Sequence, residues 1–331
     1  MKAWMVRSWG PPEGMTLEDV DEGNPAEDRI RVRIEAAGIN FFEGLLVEGQ
    51  YQIRPDLPFI PGIEGAGVVL AGPSSGRIRP GQRVAFFAEY GRGTYAELAD
   101  IQPSSAVPIP DVMPSEEGAG LLTTYLTAHL GLHRRAQLQP GETLLVHAGA
   151  GGVGSAAIQL GKAAGARVIA TAGTDEKVAF CLSLGADAAL NYRERDFAVA
   201  VKEFTGGRGA DVILDPVGGD AFERSTKCIA FEGRIVVVGF TSGRIAQAAT
   251  NHALMKSYSI VGVHLNLQLQ RTPDLVTAAA GELLDLYRRG AIKPQVTARY
   301  PLTEAPRALR AVMSGQTRGK TVLTSAMAGD A

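Results

Sequence analysis

The chain has 331 residues, 45% hydrophobic and 21% charged, with 33 basic against 35 acidic side chains. That length exceeds one ordinary core, so two domains are expected, and the balance is that of a globular protein. A net charge of −2 offers no broad basic field to a nucleic-acid backbone or an anionic membrane, and no run of about 18 apolar residues predicts a spanning helix.

The opening MKAWMVRSWGPPEG lacks the apolar segment and small-residue cleavage site of a secretory signal, so a cytoplasmic location is expected. Residues 1–119 read as β-rich: RIRVRIEAAGI alternates, GAGVVLAG and QRVAFFAEYG follow, and Pro and Gly punctuate the gaps. From 120 to 265 the pattern changes. Strands are predicted over 144–147, 167–171, 188–191, 211–214, 234–239 and 259–263, with helices over 153–164, 175–184 and 195–204 between them. Six strands alternating with helices predict a doubly wound parallel sheet. Residues 266–331 resume the first style, with helices over 275–289 and 303–314 around a strand at 295–300, and a last strand at 320–324. The simplest topology inserts the nucleotide domain, 120–265, between two parts of one catalytic domain, with a cleft at the junction.

The stretch TLLVHAGAGGVGSAAIQLGKAAGARVIA, residues 143–170, carries the most chemistry. A short apolar strand runs into Gly149, Gly151 and Gly154 at G-x-G-x-x-G spacing, and Val153, Ala157, Leu160 and Ala164 follow at helical spacing. In a dinucleotide turn the first glycine permits the bend, the second lets the backbone approach a pyrophosphate, and the third allows close helix–strand packing. The helix N-terminus then stabilises the anion without a basic side chain. Cys181 and Cys228 have no C-x-x-C partner and read as buried small hydrophobes, while His129 and His133 sit four apart with no acidic or cysteine ligand beside them in sequence.

Ten blocks in order resemble the zinc-independent quinone oxidoreductases of the medium-chain dehydrogenase/reductase superfamily. They are GINF at 38–41, EGQY at 48–51, PGIEGAGVV at 61–69, HAGAGGVG at 147–154, ATAGTDEK at 170–177, LGAD at 184–187, NY at 191–192, DPVGG at 215–219, VVVGF at 236–240 and RGKTVL at 318–323. The resemblance implies an α/β fold in which a GroES-like β-rich catalytic domain carries an inserted Rossmann-type doubly wound domain. Where the superfamily's zinc alcohol dehydrogenases have a cysteine and a histidine ligand, this chain has Asn40 and Ile63, and the four-cysteine structural zinc lobe is missing. Isoleucine cannot ligate a metal and an amide oxygen is a poor zinc ligand, so no metal is expected.

No acid stands at Ala170-Thr171-Ala172-Gly173, where an NAD-specific fold holds the ribose 2′-hydroxyl. NADPH is therefore the expected cofactor. The resemblance implies that Gly173, Lys177 and Tyr192 surround its 2′-phosphate and that Gly149, Gly151, Gly152, Val153 and Gly154 form the turn. It also implies that Thr123, Val238, Gly239, Phe240, Val263, Leu265 and Asn266 lie toward the nicotinamide and that Lys320 ends the groove. Asp175 and Glu176 beside Lys177 are read as helix-dipole partners.

With no metal and no Ser/His/Asp arrangement, the chemistry falls to the cofactor, which favours hydride addition to a quinone or an α,β-unsaturated carbonyl. The resemblance makes Asn40 and Tyr51 the catalytic candidates: an amide orients a carbonyl and a phenol gives a proton. Leu45 replaces a tyrosine found in some relatives. Tyr125 is read as a nicotinamide neighbour or as a packing residue, and Glu64 as structural. Two other readings stay open: a 2-enoyl thioester reductase, and an NADPH-binding sensor, RNA-binding or structural protein with little turnover. A homodimer is expected by analogy, through a sheet edge near residues 258–265.

Overall fold

A computed structural model describes residues 1–73 and 76–325. The chain divides into two compact units, Met1–Leu122 with Pro294–Ala331, and Thr123–Lys293.

The first unit opens with a two-stranded antiparallel sheet, β1 (Lys2–Met5) and β2 (Thr16–Asp19). β3 (Ile30–Ile39) follows, then α1 (Phe41–Val47), β4 (Glu64–Ala71), β5 (Arg83–Phe87), β6 (Leu98–Ile101), β7 (Ala106–Pro108) and α2 (Ser115–Ala119). β3 alternates buried and half-buried residues over its first half and is wholly buried from Ala36 on. The change has a cause: α2 covers that end so closely that a Cβ on Gly38 would lie 2.2 Å from the Ala119 carbonyl oxygen. The core collects Val32, Ile34, Phe59, Phe86, Tyr95 and Ile101.

The second unit begins in α3 (Leu122–His129), which continues as a π-helical turn, Leu130–Arg135. Its strands are β8 (Thr143–Val146), β9 (Arg167–Ala172), β10 (Ala188–Asn191), β11 (Ala210–Asp215), β12 (Ile229–Val237) and β13 (Ser259–Gly262). Between and after them come α4 (Gly152–Ala163), α5 (Asp175–Ser183), α6 (Phe197–Phe204), α7 (Gly219–Cys228), α8 (Thr250–Lys256), α9 (Leu265–Arg271) and α10 (Pro273–Arg288). The six strands pair in parallel in the order β10-β9-β8-β11-β12-β13, the expected doubly wound sheet. β8 is buried at every residue, as expected of a parallel strand covered on both faces, whereas edge strand β13 is largely exposed.

The chain then re-enters the first unit with β14 (Val296–Pro301), α11 (Ala305–Met313) and β15 (Lys320–Thr324). These complete a seven-stranded sheet ordered β14-β15-β3-β4-β5-β7, with β6 on β3. The first boundary between the units lies within three residues of the expected 119/120, but the second falls at 293/294 rather than at 265/266. The reason is α10, which buries Val276, Ala279, Ala280, Leu283 and Leu284 within the second unit. Residues 326–331 of the expected C-terminal part lie outside the described residues.

Candidate active site

Because the six strands of the second unit run the same way, their C-terminal ends line one edge, where such sheets bind ligands. After β8 the backbone turns at Ala148, whose φ is +49°. A Cβ on Gly154 would lie 2.2 Å from the Ala148 carbonyl oxygen, and one on Gly149 2.8 Å from the Ala170 Cβ. Packing demands both glycines. Gly151 is different, because a Cβ there meets nothing closer than 3.3 Å. A Cβ there would press only on the Ala148 carbonyl oxygen, a milder crowding than at Gly149 or Gly154. Gly151 also caps the 12-residue α4 with no side-chain hydrogen bond, so Gly152, Val153 and Gly154 open a helix whose positive end is free for an anion.

Gly173 follows β9 and Tyr192 follows β10. Asn191 lies in register with Ala172, and the Tyr192 N–H donates to the Ala172 carbonyl at 3.1 Å. A Cβ on Gly173 would come within 2.9 Å of the Tyr192 hydroxyl, so glycine is what lets that phenol lie across the strand end. Thr174 caps α5, its hydroxyl accepting from the Lys177 N–H at 3.3 Å, and Asp175 and Glu176 fill the first turn as expected. Further along the edge, Val238 N–H donates to the Asp215 carbonyl and Val263 N–H to that of Val237. Gly239 and the 39% exposed Phe240 follow Val238, and Leu265 and Asn266 open α9. Thr123 is on α3, whose π-helical continuation packs on β11, β12 and β13. The strand ends thus gather the glycine turn, Gly173, Tyr192, Val238–Phe240 and Val263 along one line.

In the first unit, Asn40 caps α1 in an N-x-x-E capping box. Glu43, fully buried, accepts from the Asn40 N–H at 2.9 Å, the Ile63 N–H at 2.9 Å, the Tyr95 hydroxyl at 2.7 Å and the Asn40 amide at 3.3 Å. Asn40 Nδ2 also donates to Glu64 at 3.0 Å, and the Lys320 ammonium donates to Asn40 Oδ1 at 2.6 Å and to Glu64 at 2.5 Å. Lys320 is 4% exposed and Glu64 1%. Burial pushes the Glu43 carboxyl up to about 7, against the Asn40 N–H, Lys320 and the Tyr95 hydroxyl, which favour its ionised form.

One expectation changes here. Asn40 has both amide hydrogens committed to carboxylates, so it holds an acceptor in place and has no donor left for a substrate carbonyl. Lys320, expected to end the cofactor groove, donates its ammonium to Glu64 and Asn40. Sequence reading missed Glu43 and Tyr95. The capping-box spacing was a usable signal for Glu43, whereas Tyr95 meets it from 52 residues away.

Tyr51 is half-buried, with its ring 5.2 Å from Phe42 and 6.4 Å from Tyr90. Burial raises its phenol above the usual value, which keeps the proton on it at neutral pH. Tyr125 packs: it is 1% exposed and donates to the Lys293 carbonyl at 2.8 Å. His129 does meet an acid, since Nε2 lies 2.9 Å from Glu282 on α10, 153 residues away. Among the described residues no group of three or more His, Cys, Asp or Glu is arranged to hold a metal ion. Cys181 and Cys228 are fully buried, and burial pushes both thiols up to about 12.

Residues 26–111 match the alcohol dehydrogenase GroES-like domain and residues 152–280 the zinc-binding dehydrogenase domain. Quinone oxidoreductase 1 of Escherichia coli is 35% identical over 318 residues, covering 95% of this chain and 96% of that protein. A quinone oxidoreductase-like protein 2 homolog of Nematostella vectensis is 35% identical over 98% of this chain and 89% of its own length. Among solved structures, Escherichia coli quinone oxidoreductase complexed with NADPH superposes with a TM-score of 0.90 at 33% identity, covering 98% of this chain and all (100%) of that one. A probable oxidoreductase from Mycobacterium abscessus gives 0.89 at 37% identity, covering 98% of each chain. At this identity over nearly the whole of both chains, the chain belongs to the quinone oxidoreductase family of the medium-chain dehydrogenase/reductase superfamily.

Proposed function

We propose that the chain is an NADPH-dependent oxidoreductase that reduces a quinone or an α,β-unsaturated carbonyl without zinc. The observation that carries the cofactor is the contrast at the turn: a Cβ on Gly154 would lie 2.2 Å from the Ala148 carbonyl oxygen and one on Gly151 3.3 Å, so packing constrains Gly151 far less and close approach of a pyrophosphate accounts for it better. The absence of an acid at Ala170–Gly173 and the Tyr192 phenol over Gly173 support the 2′-phosphorylated nucleotide, which is also present in the E. coli relative's structure. When bound, NADPH supplies the hydride.

The second unit, in this reading, binds the nucleotide: Gly149–Gly154 and the α4 N-terminus take the pyrophosphate, Gly173, Lys177 and Tyr192 the 2′-phosphate, and Thr123, Val238–Phe240, Val263, Leu265 and Asn266 the nicotinamide end. The first unit carries the catalytic side chains. Tyr51 holds the proton that the reduced acceptor takes up, and Asn40 is held in place by Glu43, Glu64 and Lys320. Zinc independence is supported by the donor set. Ile63 has no ligating atom, and the Lys320 ammonium donates to Asn40 Oδ1 and to Glu64 Oε1, two of the oxygens a metal would need.

Mixing the protein with NADPH and either 1,2-naphthoquinone, an alkenal or crotonyl-CoA tests the reading. Oxidation with the first two supports it; turnover confined to crotonyl-CoA makes the chain an enoyl thioester reductase, and tight NADPH binding without turnover makes it a sensor. A homodimer through β13 belongs to the same proposal, because this edge strand leaves backbone groups unpaired beside exposed Ile260, Leu254 and Met255. Ile260→Lys should then halve the mass measured by light scattering. The proposed location is the cytoplasm, whose reducing conditions suit two unpaired cysteines.

A further inference from the structure

Asn191 closes β10 with every polar atom of its side chain engaged. Nδ2 donates to Asp175 Oδ1 at 3.0 Å and to Glu194 Oε1 at 3.1 Å, while Oδ1 accepts from the Arg193 N–H at 3.2 Å. One amide thus ties down two carboxylates. Asp175 matters because of its place: it is the first residue of α5, two beyond Gly173, and Gly173 lies against the Tyr192 hydroxyl. An acid just past the second strand is what lets a related fold accept the ribose 2′-hydroxyl of NADH and repel a 2′-phosphate. This chain has no acid at Ala170–Gly173, but Asp175 stands two residues beyond Gly173, and its carboxylate is hydrogen-bonded to the neighbouring strand end.

We infer that Asn191 is a specificity-determining residue, which selects the 2′-phosphorylated nucleotide by holding Asp175 and Glu194 as fixed acceptors. The inference rests on the NADPH reading above. A 2′-phosphate carries a charge of about −1.5 to −2 near neutral pH. A single carboxylate released to about 4 Å from it costs roughly fivefold in affinity for each unit of phosphate charge in water. NADH presents a hydroxyl at the same place, which a released carboxylate accepts from. Asn191 therefore acts on the difference between two cofactors, an effect that a purely structural link between β10 and α5 does not have.

The test is a fluorescence titration of NADPH and of NADH against the wild-type protein, Asn191→Leu, Asp175→Asn and the double variant. For Asn191→Leu, the Kd for NADPH is expected to rise about ten- to twenty-fivefold while that for NADH stays level or falls. Asp175→Asn alone is expected to stay within about twofold of wild type, and combined with Asn191→Leu it brings NADPH binding back most of the way. Equal weakening of both nucleotides in Asn191→Leu, or no recovery in the double variant, overturns the inference. If Asn191→Leu fails to fold, Asn191→Ser is titrated in its place under the same criteria. Wild-type protein with no preference for NADPH overturns the parent reading, whereas a wild-type preference that survives in the Asn191 variants overturns this inference alone.

Discussion

Replacing Lys320 by methionine removes the ammonium from a site where it is 4% exposed and leaves Glu64, 1% exposed, and fully buried Glu43 facing each other without it. Methionine fills most of the volume of the lysine stem, so the loss is one of charge and hydrogen bonds. Breaking a buried ion pair from one side costs about 3–5 kcal/mol, because the remaining charge stays desolvated. That is a large share of the roughly 5–15 kcal/mol by which a folded domain is stable. Urea unfolding followed by circular dichroism reads it directly. The loss is expected to be largest near pH 8 and to shrink toward about pH 5, because a carboxyl raised in the folded state binds more protons there than in the unfolded chain. Combining Lys320→Met with Glu64→Leu is expected to return much of the stability, since both charges then leave together. A loss below about 1 kcal/mol near pH 8, or a double variant no better than the single one, refutes the argument that this ammonium neutralises the buried acids.

Gly154→Ala is expected to destabilise the second unit by about 1–3 kcal/mol through its collision with the Ala148 carbonyl. Gly151→Ala is expected to change stability by about 0.5 kcal/mol or less, yet raise the Kd for NADPH about tenfold, measured by thermal unfolding and titration on the same samples. Tyr51→Phe keeps the ring on Phe42 and removes the proton: kcat for the quinone is expected to fall about 100-fold with the NADPH Kd unchanged, and a fall under about twofold removes Tyr51 from the catalytic role. Glu43 has its folded-state pKa raised from 4.5 to about 7, so its contribution to stability is full below 4.5 and is lost as pH rises through about 7. Glu43→Gln is therefore expected to flatten the fall in stability across that window by up to about 3 kcal/mol, even though it lowers stability overall.

What could be read in advance divides by the range of the interactions. The central strands of the second unit are legible because parallel pairing buries both faces, so LLV at 144–146 and VIL at 212–214 stand out as apolar runs between polar residues. The short α8 and the mostly polar α7, GDAFERSTKC, escape the same reading: α7 shows its apolar side only at Phe222 and a few small residues. The second unit boundary was misplaced because an amphipathic pattern such as that of α10 states that a face is buried but not against which core. At the site, the local features were visible, including the glycine spacing and Gly173, whereas the capping box around Asn40, though local, was not read. The polar network was not visible. Its links run from Asn40 to Lys320, 280 residues apart, and from Lys320 to Glu64, 256 apart, and no local pattern encodes such pairings.

Quinones and enones are electrophiles that arylate or alkylate exposed thiolates. The two cysteines of this chain are both fully covered, with their sulfur held in the protonated form far above neutral pH. Under the proposed reading, this chain offers such acceptors no exposed thiol to attack.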